Sequence, residues 1–193
     1  STDIAESSLT VEGVTVVIDS GLARAPRFDP GNGLTRLTTI SVSRASADQR
    51  AGRAGRTRPG MAVRLWSKIE HGTRPAFGAA EITKGDLAPL RLELAAWGVT
   101  DPATLSMMDA VPTQSWKEAG QVLHMLGAID ADETITDRGR RLSELPLHPR
   151  LGAIVVTGVE RGIGAMGCAL AALIDERDIL RGRPAEVPAD LGL

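Results

Sequence analysis

The first apolar positions to cluster are Val14 to Ile18, within "VEGVTVVIDSG", and the run closes on Asp19, Ser20 and Gly21. A short continuous apolar run bounded by turn residues predicts a buried strand. Two arms follow, Leu22 to Phe28 and Leu34 to Val42, on either side of "DPGNG". That dense turn signal predicts a β-hairpin, and Pro26 makes one arm an edge strand. "RASADQRAGRAGR" is polar throughout and predicts a surface helix, with Ser46 as N-cap and Gln49 where a capping-box partner stands. "PGMAVRLW" predicts another strand. The polar stretch from Ser67 to Ile82, with Gly72, Pro75 and Gly78, predicts the link out of a first domain.

Beyond that stretch the apolar period becomes helical. Leu87, Leu90, Leu94 and Trp97 share a face and stop at Gly98; Trp116, Val122, Leu123 and Leu126 repeat the pattern and stop at Gly127. "AIDADETITDRGRRLSEL" then predicts a short strand, an acidic turn, a strand and a helix. Helices followed by a two-stranded wing make a winged-helix-like unit. From Pro149, "RLGAIVVTGVERG" and "GAMGCALAALIDERDIL" predict two helices of an incomplete bundle. The expected fold class is therefore α/β followed by mainly α.

Composition adds bounds. With 193 residues, 42% hydrophobic and 24% charged, the chain can bury a core and is not disordered by composition. Its net charge of −2 gives no global pull toward nucleic acid or membrane. The distribution is more informative. From Arg24 to Arg64 there are nine arginines against Asp29 and Asp48, a local charge of +7, and the acidic region after Glu81 balances it. Arginine is the planar, bidentate binder of phosphate and carboxylate. Cys168 is the single cysteine, so no disulfide forms within the chain, which suits a reducing cytosol. "STDIAESSLT" lacks the basic and apolar regions of a signal peptide, and the apolar run in "CALAALI" is too short to span a bilayer. The expected setting is cytoplasmic, with no membrane partner. The opening without methionine, inside a motif, leads us to expect a piece of a longer protein.

The chemistry concentrates in "QRAGRAGRTRPG". Arg50, Arg53 and Arg56 are spaced by three, with Gly52 and Gly55 between them. Each glycine costs a helix about 1 kcal/mol relative to alanine. In return, arginines at this spacing lie near one face, and glycines let another backbone or a ligand approach closely. The combination suits a polyanion on which charge develops. The plain alternative is a basic, capped surface helix. "GIGAMG" satisfies GxGxxG, but "ERG" separates it from the apolar run and "RGRPA", not a strand, precedes Glu186, which argues against a dinucleotide site. His71, His124 and His148 have no metal-ligand spacing. Trp66, Trp97 and Trp116 are expected in the core, and Cys168 as a buried thiol.

"QRAGRAGR" resembles motif VI (QRxGRxGR) of superfamily 2 DEAH-type helicases without a departure, and "STDIAESSLT" followed by "VTVVIDSG" resembles their motif V. "EITKGDLAPLRLELAAWGV", "LHMLGAID" and "ITDRGRRLSELPLHPRL" resemble the family's winged helix and the start of its ratchet domain. "RFDPGNGLTRL" and "LAPLRLELAAWGV" are most similar to the bacterial HrpB branch. The resemblance implies a partial second RecA-like lobe with its β-hairpin at 1–78, a winged-helix domain at 79–147 and the start of a helical ratchet bundle at 148–193. It implies that Gln49, Arg53 and Arg56 reach the ATP γ-phosphate, that Arg50 occupies a further motif position, and that Thr10 and Glu12 contact the ribose. Ser8 would link nucleotide state to nucleic-acid grip, and Thr2 would contact a nucleic-acid phosphate. Asp3 stands where most members have asparagine, which donates a hydrogen bond that an ionised aspartate cannot.

Neither GxxxxGK[ST] nor DExH occurs in the chain. In this family those motifs hold the phosphates and Mg²⁺ from the N-terminal RecA-like lobe. The resemblance thus implies half of an ATP site, completed by that lobe. The implied activity of the complete protein is ATP hydrolysis coupled to 3′→5′ translocation on single-stranded nucleic acid, expected to be RNA. Arg24, Arg27 and Arg36 on the hairpin arms would contact that strand. The alternative from another class is a non-enzymatic winged-helix nucleic-acid-binding module.

Overall fold

The computed structural model describes residues 13–29, 34–56 and 58–175. The chain divides into two compact units, Ser1–Gly85 and Asp86–Leu193.

In the first unit β1 (Val16–Asp19) pairs in parallel with β4 (Met61–Arg64), matching Val16 to Met61 and Ile18 to Val63. The expected hairpin is present as β2 (Leu22–Asp29) and β3 (Leu34–Ser41), antiparallel, with Leu22 opposite Ser41 and Arg27 opposite Arg36. Residues 30–33 of its turn lie outside the described residues. The expectation that the first strand is buried is corrected: Val16 is 49% and Ile18 59% exposed. Helix α1 (Arg44–Gly52) packs on β1 and β4, yet the paired Val16, Ile18, Met61 and Val63 are all exposed. An apolar run reports what a strand is able to bury, not whether a layer lies on each face.

The start of α1 is also corrected. Its N-cap is Ser43, extended at φ −68° and ψ 166°, and the Ser43 hydroxyl accepts from the Ser46 amide at 3.2 Å. Ser46 is the donor three residues on, and Gln49 lies a turn further, beyond capping reach. The helix ends at Gly52, earlier than the polar pattern predicts, with Arg53 as C-cap. A second glycine at Gly55 makes further propagation costly. The stretch 67–82, expected as a link, instead contains α2 (Lys68–Thr73), capped by Ser67, and a buried Arg74.

The second unit holds α3 (Ala88–Ala96), α4 (Thr113–Met125), α5 (Asp137–Ser143), α6 (Pro149–Glu160) and α7 (Gly164–Asp175). Leu92, Leu94, Leu123, Leu142, Leu151 and Val156 form its core. Gly98 at φ 79° and Gly127 at φ 67° close α3 and α4 in the left-handed conformation that glycine adopts without strain. The two-stranded wing is reduced to one antiparallel bridge, Ile129 to Ile135, because the turn between them folds on itself. The Asp130 carboxylate accepts from the Asp132 and Thr134 amides at 3.0 and 2.9 Å.

"GIGAMG" begins after a helix, α6, rather than a strand. A Cβ on Gly167 would lie 3.0 Å from the Ile154 carbonyl and 3.3 Å from the Gly158 Cα, so this glycine serves a close helix crossing. Two side chains expected inside are outside. Trp97 is 74% exposed because it is the C-cap of α3, where the chain leaves the helical face. Cys168 is exposed because α7 buries its neighbour Gly167 and then Ala171, and one residue turns the helix by about 100°. Among the described residues no helix is long and apolar enough to cross a membrane.

Candidate functional site

The three arginines of "QRAGRAGR" have different environments. Arg50 is fully buried. Its Nη1 donates to Asp19 Oδ1 at 3.2 Å and to the Leu22 carbonyl at 3.0 Å. Asp19, 2% exposed at the end of β1, also accepts from the Gly21 amide at 2.9 Å. A buried ion pair of this kind holds a geometry: breaking it strands a charge away from water. Arg50 therefore fixes α1 against the end of β1 and the start of β2. Gln49 is exposed on α1, Arg53 is partly exposed at the C-cap, and Arg56 is exposed beyond it. Cationic side chains are favourable at this end of a helix. Among the described residues nothing stands within 4 Å of a Cβ built on Gly52 or Gly55. The surface between the arginines is thus open to an approaching anion, the room a polyphosphate needs.

The other end of α1 is held by a segment the sequence reading missed. The Arg44 and Ala45 amides donate to the Pro75 and Ala76 carbonyls at 2.9 and 3.0 Å. Arg74, 6% exposed, donates from Nη1 to the Gly21 and Val42 carbonyls at 2.8 and 3.1 Å, and from Nη2 to Glu70 at 2.8 Å. Its guanidinium stacks 4.3 Å from the Trp66 ring. On the exposed face of α1, Asp48 pairs with Arg64 at 2.5 Å.

On the hairpin, Arg24 and Arg27 are exposed, and Arg24 Nη2 donates to the Leu37 carbonyl at 3.2 Å. Arg36 is at the register position opposite Arg27. Thr2, Asp3, Ser8, Thr10 and Glu12 lie outside the described residues.

Residues 121–147 match the helicase-associated domain (HA2), winged-helix. The ATP-dependent RNA helicase HrpB of Escherichia coli is 41% identical over 175 residues, 91% of this chain and 22% of that protein. The pre-mRNA-splicing factor ATP-dependent RNA helicase prp22 of Schizosaccharomyces pombe is 34% identical over 186 residues, 96% of this chain and 16% of that one. The crystal structure of E. coli DEAH/RHA helicase HrpB superposes with a TM-score of 0.85 at 38% identity, covering 96% of this chain and 25% of the other.

The chain corresponds to the C-terminal region of DEAH-type helicases. It spans roughly a fifth of the length of the relatives it matches, from 14% to 26% among them.

Within this DEAH-helicase region the HA2 match covers the end of α4, the bridge and α5. A buried arginine organises the unit here too. Arg91 donates to the Trp116 carbonyl and to Glu133, and its guanidinium lies 4.7 Å from the Trp116 ring. Gly120 makes room for it, since a Cβ there would lie 2.6 Å from the Arg91 Cζ. Glu133, at φ 61°, also meets His124 at 3.1 Å. Burial pushes the Glu133 carboxyl up, but hydrogen bonds and charge from His124 and Arg91 outweigh it and hold the group below its ordinary range. Asp86 joins two helix starts: it accepts from the Ala88 amide at 2.8 Å and meets His148 Nε2 at 3.0 Å. The His148 Nδ1 in turn accepts from the Arg150 amide at 3.2 Å. Burial raises the Asp86 carboxyl, and the bonds from His148 and Ala88, with the charges of His148 and Arg150, lower it by more.

Proposed function

We propose that the protein containing this chain is an ATP-dependent 3′→5′ helicase acting on single-stranded nucleic acid, RNA in the first instance. This chain would supply the arginine half of its ATP site and part of its nucleic-acid channel. The observation that carries the reading is the division of labour in "QRAGRAGR": Arg50 is buried as an anchor, while Gln49, Arg53 and Arg56 lie at the surface toward the C-terminal end of the same helix. A helix so anchored presents guanidinium groups in a fixed direction, the condition for electrostatic stabilisation without reorganisation. The names of the relatives support ATP and RNA as the substrates.

In this reading Arg53 and Arg56 neutralise charge developing on a γ-phosphate held with Mg²⁺ by the N-terminal RecA-like lobe, and Gln49 orients groups beside it. Ser8, Thr10 and Glu12 serve the nucleotide, and Thr2 a strand phosphate. Arg24, Arg27 and Arg36 place the hairpin against the nucleic acid as a wedge between bases, where phosphate contacts make binding independent of sequence. Residues 1–78 are the partial second RecA-like lobe, 79–147 the winged-helix domain and 148–193 the start of the ratchet bundle, and the setting is the cytoplasm. Lysine substitution of Arg53 and Arg56 in the complete protein tests the reading: turnover should collapse while ATP binding persists.

A further inference from the structure

We propose that Arg74 is a positioning residue that makes the hairpin and the arginine-bearing helix α1 move as one body. The inference rests on the helicase reading above and extends it to a residue outside both motifs. Its basis is a junction of very short connections. Strand β3 ends at Ser41 and α1 begins at Arg44, so only Val42 and Ser43 separate the hairpin from the helix. Both are buried. The Val42 amide donates to the Gly21 carbonyl at 3.0 Å, which closes the base of the hairpin.

Arg74 binds both sides of that closure. One guanidinium nitrogen donates to Gly21, just before β2, and to Val42, just after β3. The residues that follow it, Pro75 and Ala76, accept from the first two amides of α1. The same short segment therefore grips the hairpin base and the helix start. Trp66 and Glu70 hold the guanidinium in turn, the ring at 4.3 Å and the carboxylate at 2.8 Å. The space is fully used, because a Cβ on Gly21 would stand 2.6 Å from the Arg74 Nη2 and 2.8 Å from the Trp66 ring. Arg50 braces the same place from the helix side through Leu22 and Asp19. A tilt of α1, on which Arg53 and Arg56 ride, is thereby transmitted to the hairpin base without slack. Lysine cannot replace Arg74, since an ammonium is a point charge on a flexible stem rather than a planar fork that spans two carbonyls and a carboxylate.

The test uses the complete protein and reads RNA-stimulated ATP turnover and duplex unwinding on the same preparations. Arg74→Lys should keep turnover within about threefold and lower unwinding by about tenfold or more, so that ATP consumed per base pair opened rises by a similar factor. A parallel fall of both activities, the mark of a merely structural residue, would overturn the proposal, as would unwinding within about twofold of normal. If Arg74→Lys does not fold, Glu70→Gln loosens the same guanidinium from its half-exposed side. It should raise ATP consumed per base pair by about threefold, and an unchanged ratio counts against the proposal. A hairpin trimmed between Arg27 and Arg36 separates the two ideas. Normal unwinding by that variant removes the wedge reading and this inference with it. Loss of unwinding there, with normal coupling in Arg74→Lys, removes the inference alone.

Discussion

Replacing Arg50 by methionine keeps much of the volume and removes the charge. It leaves the Asp19 carboxylate, with a side chain 4% exposed, facing the Gly21 amide without its cation. The second oxygen, Oδ2, is buried with no hydrogen-bond partner among the described residues, so it has nothing to compensate with. Removing one partner of a buried ion pair costs about 3–5 kcal/mol. The Leu22 carbonyl loses its 3.0 Å donor as well. Arg56→Met, at an exposed site, should stay within about 0.5 kcal/mol. Since about 1.4 kcal/mol is a factor of ten, hydrogen-exchange protection in α1 should fall by roughly two to three and a half orders of magnitude in Arg50→Met and hardly change in Arg56→Met. Mass spectrometry of peptides covering residues 44–52 reads this directly, without assuming that both units unfold together. Adding Asp19→Asn should recover part of the loss, because the stranded charge is gone, giving a coupling of about 0.5–3 kcal/mol between the sites. Equal protection in Arg50→Met and Arg56→Met, or strict additivity with Asp19→Asn, would refute the anchor.

Two further outcomes are expected in the second unit. The folded Asp86 carboxyl sits below its unfolded value. Its stabilising contribution is therefore complete above about pH 4, is lost as pH falls through the folded value, and should vanish in Asp86→Asn; urea midpoints measured from pH 6 down to pH 2.5 check this, and an unchanged acid limb in Asp86→Asn contradicts it. Gly120→Ala would drive a methyl into the Arg91 guanidinium and dislodge it from Trp116 and Glu133. It should cost about 1–3 kcal/mol despite better helix propensity, and a urea midpoint at or above the parent value would show that the pocket is not filled.

Periodicity gave the architecture because most of it is local. The hairpin arms were readable from "DPGNG" and their flanks, and α3, α4, α6 and α7 from apolar spacing and terminal glycines. What remained hidden was tertiary. Ser43 and Ser46 offer the same chemistry at the start of α1, and only the backbone shows which of them caps. Asp19 looked like the turn residue after a strand, and its pairing with Arg50 spans 31 positions. Arg74 lies in a polar stretch with no periodic signal, and its partners Gly21 and Val42 are 53 and 32 residues away. The exposed Trp97 and Cys168 show the converse, residues apolar enough for a core but placed at a helix end or on an outward face. The spacing of "QRAGRAGR" pointed to the functional surface, but not to which arginine anchors and which remain at the surface.

That division makes the most direct test a pair of substitutions in the complete protein, Arg53→Lys and Arg56→Lys. Lysine keeps the charge and loses the planar fork. With saturating RNA, kcat for ATP should fall by roughly a thousandfold, as loss of an arginine finger does. The dissociation constant for a non-hydrolysable ATP analogue should move by less than about tenfold, since the charge lost matters more as the phosphoryl group departs than in the bound ground state. Near-normal kcat in both variants would contradict the account, because neither arginine would then act on the phosphate.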